Sequence, residues 1–125
     1  MPSVGVLIRG YHEEDARKIK AFLDRTLDAY VIMLSASQKE EMRIIDILQA
    51  GPQAQEHFAD EEPKILMFLG FSEVKIHMVL EGFPRDEGLK RPIFCSMTGQ
   101  NQQWPLRELI GHLVEEHRQW TGKDA

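Results

Sequence analysis

The chain has 125 residues and a formal net charge of −5, with 42% hydrophobic and 28% charged residues. This length and composition are typical of one globular domain whose core needs neither a metal nor disulfides to hold it together. The single cysteine, Cys95, excludes an internal disulfide, and no apolar run approaches the roughly 20 residues of a membrane helix. Residues 1–7 lack the basic segment and the long apolar run of a signal peptide. We therefore expect a cytoplasmic protein that does not enter the membrane.

The acidic excess of the chain lies in residues 1–62, whereas residues 63–125 carry equal numbers of acidic and basic side chains. Basic residues such as Lys90 and Arg91 come singly or in pairs, and neither half has the clustered positive charge that binds nucleic-acid phosphates. We expect no nucleic-acid partner and interpret the acidic half as solvated surface.

Four short apolar runs indicate buried strands, because they are rich in Val, Ile, Leu and Phe and are too short for helices. A helical pattern follows each run. The first helix is predicted from about His12 to Leu27, since its first turn is acidic and suits the helix macrodipole. The second is predicted to begin near Ser37, because serine favours the N-cap position. The strands are predicted at about residues 4–9, 29–35, 64–69 and 92–97.

The last two helices have clearer starting signals. Ser72 is predicted as the N-cap of the third helix, and Pro105 as the first residue of the fourth, where proline is favoured. The fourth helix has one apolar stripe at helical spacing, which predicts that this side packs on the core. The stripe consists of Leu106, Leu109, Ile110, Leu113, His117 and Trp120.

The chain has two halves with a similar pattern. Residues 6–13 align with residues 66–73, each an apolar run followed by glycine, an aromatic residue and a helix start. Strands that alternate with helices favour parallel pairing through right-handed crossovers. We therefore predict an α/β fold: a single domain, residues 1–125, of two pseudo-repeated β-α-β-α halves, about residues 3–50 and 64–121. The halves form a four-stranded, mainly parallel sheet with flanking helices.

Polar residues follow the third and fourth predicted strands. In open parallel sheets ligands bind beyond the carboxyl ends of the strands, and free N–H groups at helix starts favour anions. The sequence therefore predicts a candidate binding site for a small anion. An alternative interpretation is structural, in which Thr98 or Asn101 closes a turn and Trp104 covers the core. The candidate ligand-binding residues are Gly70, Ser72, Thr98, Asn101 and Trp104.

The sequence contains no recognised catalytic motif. It has neither a glycine-rich phosphate motif nor the order of serine, histidine and aspartate found in known hydrolases. His112 and Glu116 stand four residues apart, but no second cysteine and no H-E-x-x-H sequence accompany them. Cys95 lies inside a predicted strand and is interpreted as a buried residue, and His117 is interpreted as a structural histidine of the core or its edge. We predict no catalytic residue, no metal and no cofactor.

The second half resembles the uncharacterised bacterial family known as DUF3783, over about residues 64–118. The resemblance is densest in the Thr-x-x-Asn-x-x-Trp spacing of residues 98–104. It implies a bacterial or related origin and no particular chemistry. Supporting matches are Phe68-Leu69-Gly70-Phe71-Ser72, Lys90-Arg91-Pro92-Ile93, Thr98-Gly99-Gln100-Asn101-Gln102-Gln103-Trp104-Pro105-Leu106-Arg107-Glu108-Leu109 and Glu115-Glu116-His117.

Three functions remain open at this point. The favoured hypothesis is a non-enzymatic small binding or protein-interaction module, because a dense polar and aromatic motif occurs without a catalytic constellation. The first alternative is an anionic-metabolite-binding protein or enzyme that uses the ends of the strands. The second is a structural homodimer formed through an apolar helix face or an edge strand.

Overall fold

The structure, a computed structural model, describes residues 4–50, 57–85 and 88–122. Strands and α-helices alternate along the described residues, which confirms the predicted α/β class. A single turn of 3-10 helix, Asn101–Gln103, precedes the last α-helix. The elements are β1 Gly5–Arg9, α1 Glu13–Leu27, β2 Ile32–Ser35, α2 Ile44–Ala50, β3 Ile65–Leu69, α3 Glu73–Gly82, β4 Ile93–Ser96 and α4 Leu106–Gly122.

Both halves of the chain contribute to one sheet, in the order β2-β1-β3-β4. The two outer pairs, β1 with β2 and β3 with β4, are parallel, as predicted. The central pair is antiparallel and places Leu7 of β1 opposite Met67 of β3. Because the direction reverses at this pair, the carboxyl ends of β1 and β2 lie at one end of the sheet, the β1/β2 end. Those of β3 and β4 lie at the opposite end, the β3/β4 end.

Helices cover both faces of the sheet because β1 and β3 carry apolar side chains in both directions. Val6 and Ile8 of β1 point to the face that α1 and α3 cover. Leu7 points to the other face, which α2 and α4 cover. Residues alternate in this way along any strand, so a continuous apolar run corresponds to a strand buried on both sides.

The predicted starts of α1 and α3 are confirmed to within a residue. His12 is the N-cap of α1, and its Nδ1 accepts from the N–H of Asp15 at 3.4 Å. The hydroxyl of Ser72 caps α3 by accepting from the N–H of Lys75 at 3.2 Å. Both bonds satisfy N–H groups that the first turn of a helix leaves unpaired.

The prediction that α2 begins near Ser37 is wrong, because this helix begins at Ile44. The backbone before it pairs with the start of α4: Leu106 donates to the carbonyl of Met42 at 2.8 Å, and Ile44 donates to the carbonyl of Trp104 at 3.0 Å. Ser37 is buried, and its hydroxyl accepts from the N–H of Ala59 at 3.3 Å. Contacts with distant segments therefore outweigh the local capping preference of serine.

The apolar stripe of α4 is confirmed at Leu106, Leu109 and Leu113, which are buried. The helix begins one residue after Pro105. Of the two positions predicted for His117, the core or its edge, the structure excludes the core, because His117 is exposed and lies near the end of α4, beside the edge of the sheet. The side chain of Trp120 lies outside the described residues. Within the described part of the chain, no helix has both the length and the apolar character needed to cross a bilayer.

Candidate functional site

The predicted site residues all lie toward the β3/β4 end of the sheet. Gly70 directly follows β3, and Thr98 follows β4 by two residues. Because these two strands are parallel neighbours, their carboxyl ends lie side by side. The fold thus places the two segments of the predicted site at the same end of the sheet, as the ligand hypothesis requires.

The polar atoms of Thr98 and Asn101 bond to each other. The N–H of Thr98 donates to the Asn101 side-chain oxygen at 2.7 Å, and the N–H of Asn101 donates to the Thr98 hydroxyl at 2.9 Å. The Asn101 amide nitrogen also donates to the carbonyl of Ser96 at 3.1 Å. Asn101 is 9% exposed. These bonds close the loop between β4 and α4 and occupy the groups that a ligand would have to use.

Trp104 connects that loop to the helical layer. Its ring stacks on His112, with centroids 4.4 Å apart and planes 18° apart, and it packs against the core under α2 and α4. The backbone N–H of Trp104 donates to the carbonyl of Asn101 at 3.1 Å. Because His112 belongs to α4, the stacking of the indole on it connects the loop to this helix.

Gly70 and Ser72 complete the predicted set. Gly70 has a φ of 75°, a left-handed conformation that favours glycine in the tight turn after β3. It lines a mainly apolar cleft of about 390 Å³ together with Gly5, Leu48 and Leu69. Ser72 is exposed, but its oxygen already caps α3. The role of these five residues in ligand binding stays a prediction.

Replacing Asn101 with alanine is expected to lower the free energy of unfolding by about 2 kcal/mol, because both hydrogen bonds of its side chain, to the N–H of Thr98 and to the carbonyl of Ser96, are lost. Urea denaturation measures the change. The control is Gln100→Ala at the exposed neighbouring position, where we expect less than about 0.5 kcal/mol. If Asn101→Ala kept full stability but lost a thermal shift produced by a metabolite or anion, the loop would be a binding site rather than a structural turn.

Sequence reasoning missed a buried ionic cluster at the β1/β2 end. Arg9, the last residue of β1, is 7% exposed. Its guanidinium donates to the carbonyl of Pro63 at 2.8 Å and forms ion pairs with Glu40 at 3.2 Å and Glu61 at 3.3 Å. The arginine at the end of an apolar run was the available signal, but its partners lie more than 30 positions away, so the pattern could not identify them.

Lys64 is the second buried cation of this cluster. Its Nζ donates to the carbonyl of Gly10 at 2.8 Å and to Asp60 at 2.6 Å, and it lies 3.3 Å from Glu62. The lysine therefore ties the start of β3 to the turn after β1. Together with Arg9, the cluster sets two cations among four carboxylates, which disfavours an anionic ligand at this end.

The pKa shifts in the cluster follow from these contacts. Burial alone would raise the pKa of Glu40, but hydrogen bonds from its own N–H and from Arg9, together with the charge of Arg9, lower it overall. Burial alone would lower the pKa of Lys64, but its bonds to Asp60 and Glu62 raise it overall. The ionised forms are thus the stable ones at neutral pH. Among the described residues, Nε of Arg9 and one oxygen of Glu61 are buried without a partner.

Burial also raises the pKa values of Tyr11 and Cys95, so both side chains are protonated at neutral pH. Burial, reinforced by the charge of Asp15, raises the pKa of Tyr11, whose hydroxyl donates to the carbonyl of Lys90. Burial and the charge of Glu116 raise the pKa of Cys95 to about 12. A protonated thiol is a poor nucleophile. Among residues 4–50, 57–85 and 88–118, no group of three or more His, Cys, Asp and Glu side chains is placed to hold a metal.

The outer edge of β4 is the most exposed part of the sheet, since Ser96 is exposed and the other β4 residues are half-buried. Ile93 donates to the carbonyl of Lys64 at 2.8 Å, and Met97 donates to that of Phe68 at 3.1 Å. Alternate residues of a parallel strand turn their backbone groups to the same side, so the N–H groups of Phe94 and Ser96 point away from β3. In the described part of the chain, neither N–H has a hydrogen-bond partner.

A groove of about 650 Å³ lies at the amino end of this edge. Leu80 of α3 forms one side and His117 of α4 lies on the other, with Ile93 and Phe94 between them. The opposite edge of the sheet is different, because residues 57–59 lie against β2. There, the Ser35 hydroxyl donates to the carbonyl of His57. The β4 edge is therefore the more open of the two in the described structure.

Comparisons with known proteins add one finding. No curated protein and no solved structure matches the chain. A family model does match the second half, and its span contains β3, α3, β4, the Thr98-to-Trp104 loop and most of α4 but not β1. Residues 64–119 of this chain match the family described as "Domain of unknown function (DUF3783)", which confirms the resemblance that the motifs predicted.

Proposed function

We propose that this protein is a non-enzymatic interaction module that binds an extended segment of a partner protein along the outer edge of β4. The observation that supports this proposal is the pair of outward N–H groups of Phe94 and Ser96, which are unpaired among the described residues, together with the groove that Phe94 lines. An exposed edge of this kind is a template on which another chain adds a strand.

The edge offers both hydrogen bonds and apolar contacts to such a segment. Each main-chain bond to the partner contributes about 1 kcal/mol net, so affinity also needs side-chain contacts. Side chains of an added strand alternate between the two faces of the sheet. On one face they meet Phe94 and Leu80, and on the other they meet Ile93 and His117.

The same edge also limits what can bind. The strand has only four residues, and Pro92, directly before it, has no N–H to donate. A long strand of another molecule therefore cannot continue its hydrogen bonding with β4 beyond Phe94 toward Pro92. This limit protects the protein from aggregation through the β4 edge. These features favour a short partner segment with a defined register.

Binding is also a better account of the side chains than catalysis. At the β3/β4 end the side chains of Ser72, Thr98 and Asn101 make intrachain hydrogen bonds. At the β1/β2 end the charges of Arg9 and Lys64 are matched by carboxylates. The lone thiol supports a reducing compartment such as the cytoplasm, and the family resemblance supports a bacterial origin.

The test is a selection of displayed random eight-residue peptides on the full chain. Peptides recovered in the selection are synthesised with amidated ends, and their affinities are measured by fluorescence polarisation. We expect binding to slow hydrogen exchange at the Phe94 and Ser96 amides, measured by NMR, because those N–H groups become bonded. Peptides that bind but leave both amides unprotected would contradict the proposal, and so would a selection that yields no binder.

Two perturbations separate strand addition from other modes of binding. Ser96→Pro removes an outward N–H that the β3 ladder does not use, and we expect it to weaken binding at least tenfold. N-methylation of the peptide is the matched control. Methylation should abolish binding at the alternate amides that point toward β4 and should leave binding intact at the amides that point away from it.

Sedimentation of the protein alone belongs to the same test. A dimer that Ser96→Pro dissociates would replace the partner peptide with a second copy of this chain.

A further inference from the structure

We infer that the partner segment is acidic and that Arg91 binds one of its Asp or Glu carboxylates. This inference rests on the proposed function, because Arg91 lines the same groove as Phe94. Arg91 lies two residues before β4 and therefore at the amino end of the edge that accepts the segment.

The guanidinium of Arg91 is held in place by its neighbours. One terminal nitrogen donates to the carbonyl of Leu80 at 3.0 Å. The guanidinium carbon lies 4.9 Å from the ring centroid of Phe94 and 5.9 Å from that of Phe83. A guanidinium has five N–H donors, so one bond to a carbonyl leaves others available, and a fixed fork of donors matches a carboxylate in geometry and charge.

The charge of Arg91 is not compensated within the described structure. Lys64 and Lys90, the neighbouring cations of the groove, lie 3.3 Å and 3.5 Å from the carboxylate of Glu62. No ion pair of the described residues includes Arg91, although the residue is exposed and fixed. An anionic group of the partner would therefore find at Arg91 a cation that is already oriented and that forms no ion pair with a carboxylate of the described residues.

A bound segment would also strengthen the interaction by excluding water from it. An ion pair in full solvent contributes little, but its attraction rises as the effective dielectric constant falls. The rings of Phe83 and Phe94 already shield one side of the guanidinium. We expect loss of this pair to weaken binding about tenfold, because charge-assisted bidentate bonds are stronger than neutral ones.

The test repeats the peptide selection on three forms of the full chain. Peptides selected on the wild type should carry Asp or Glu at one fixed position. Those selected on Arg91→Glu should carry Lys or Arg at that position instead. Lys75→Gln is the control, because it removes a positive charge from α3 outside the groove and should leave the acidic preference unchanged.

Affinities of amidated synthetic peptides then measure the pairing directly. Replacing the acidic residue with its amide should weaken binding to the wild type about tenfold and should have no effect on binding to Arg91→Gln. Binders that protect the Phe94 and Ser96 amides but share no acidic position would overturn this inference and leave the proposed function intact. Binders that leave those amides unprotected, or the absence of any binder, would overturn both.

Discussion

Replacing Gly10 with alanine is expected to lower the free energy of unfolding by about 3 kcal/mol. Gly10 has a φ of 98°, a left-handed conformation that side chains with a Cβ rarely adopt. An added Cβ would also lie 2.5 Å from the carbonyl oxygen of Glu61 and 2.8 Å from Cγ of Lys64. The contact with the backbone oxygen of Glu61 cannot be relieved by rotating a side chain. Urea denaturation followed by circular dichroism measures the loss.

Gly99→Ala is the matched control for this substitution. An added Cβ at Gly99 has no atom within 4 Å, and its φ is not left-handed, so we expect a change of less than about 0.5 kcal/mol. Equal stabilities of Gly10→Ala and Gly99→Ala would contradict the close packing of Gly10 against Glu61 and Lys64. A large loss at Gly10 alone would show that this packing supports the fold.

The helix starts that were predicted correctly depend on local contacts. His12 and Ser72 each cap a helix by bonding to a residue three positions later, so the signal lies within one turn of the chain. Ser37 carries the same signal, but its hydroxyl bonds to Ala59, 22 positions away. A capping residue predicts a helix start only where no distant segment competes for its oxygen.

The order of the strands depends on contacts that no short window of sequence contains. The apolar runs correctly predict strands buried on both faces, but β1 and β3 carry similar patterns whether they pair in parallel or antiparallel. Antiparallel pairing of β1 with β3 places the carboxyl ends of the two parallel strand pairs at opposite ends of the sheet. It also leaves β2 and β4 as the edge strands. Residues of the proposed docking edge could therefore not be recognised from the sequence.

The candidate site shows the same division between local and distant contacts. Thr98 and Asn101 bond across three positions, so their spacing alone indicated a turn at the end of β4. Arg91 stands in a charged segment of the sequence that resembles ordinary surface. Its proximity to the ring of Phe83 and its bond to Leu80 depend on how α3 returns to the sheet. Distance along the chain, rather than residue type, determined which of these features could be predicted.

Replacing Arg9 with methionine is expected to lower the free energy of unfolding by about 3 kcal/mol at pH 7. Methionine keeps much of the buried volume but loses the bond to Pro63 and leaves Glu40 and Glu61 without their shared cation. Uncompensated charge at a partly buried position is destabilising. Arg17→Met is the control, because Arg17 and Glu13 form an exposed ion pair whose loss should change stability by less than about 0.5 kcal/mol.

The pH dependence separates the charge of Arg9 from its hydrogen bond. The pKa of Glu40 in the folded protein is below its ordinary value of 4.5, so the pairing stabilises the fold above that pH and is lost as the pH falls through the lowered pKa. We therefore expect the stability difference between wild type and Arg9→Met, measured by urea denaturation from pH 7 to pH 3, to shrink below about pH 4.5. A difference that stays constant across this range would assign the stabilisation to the neutral bond with Pro63. In that case the carboxylates of the cluster would be solvated surface groups, and the β1/β2 end would be held by hydrogen bonds alone.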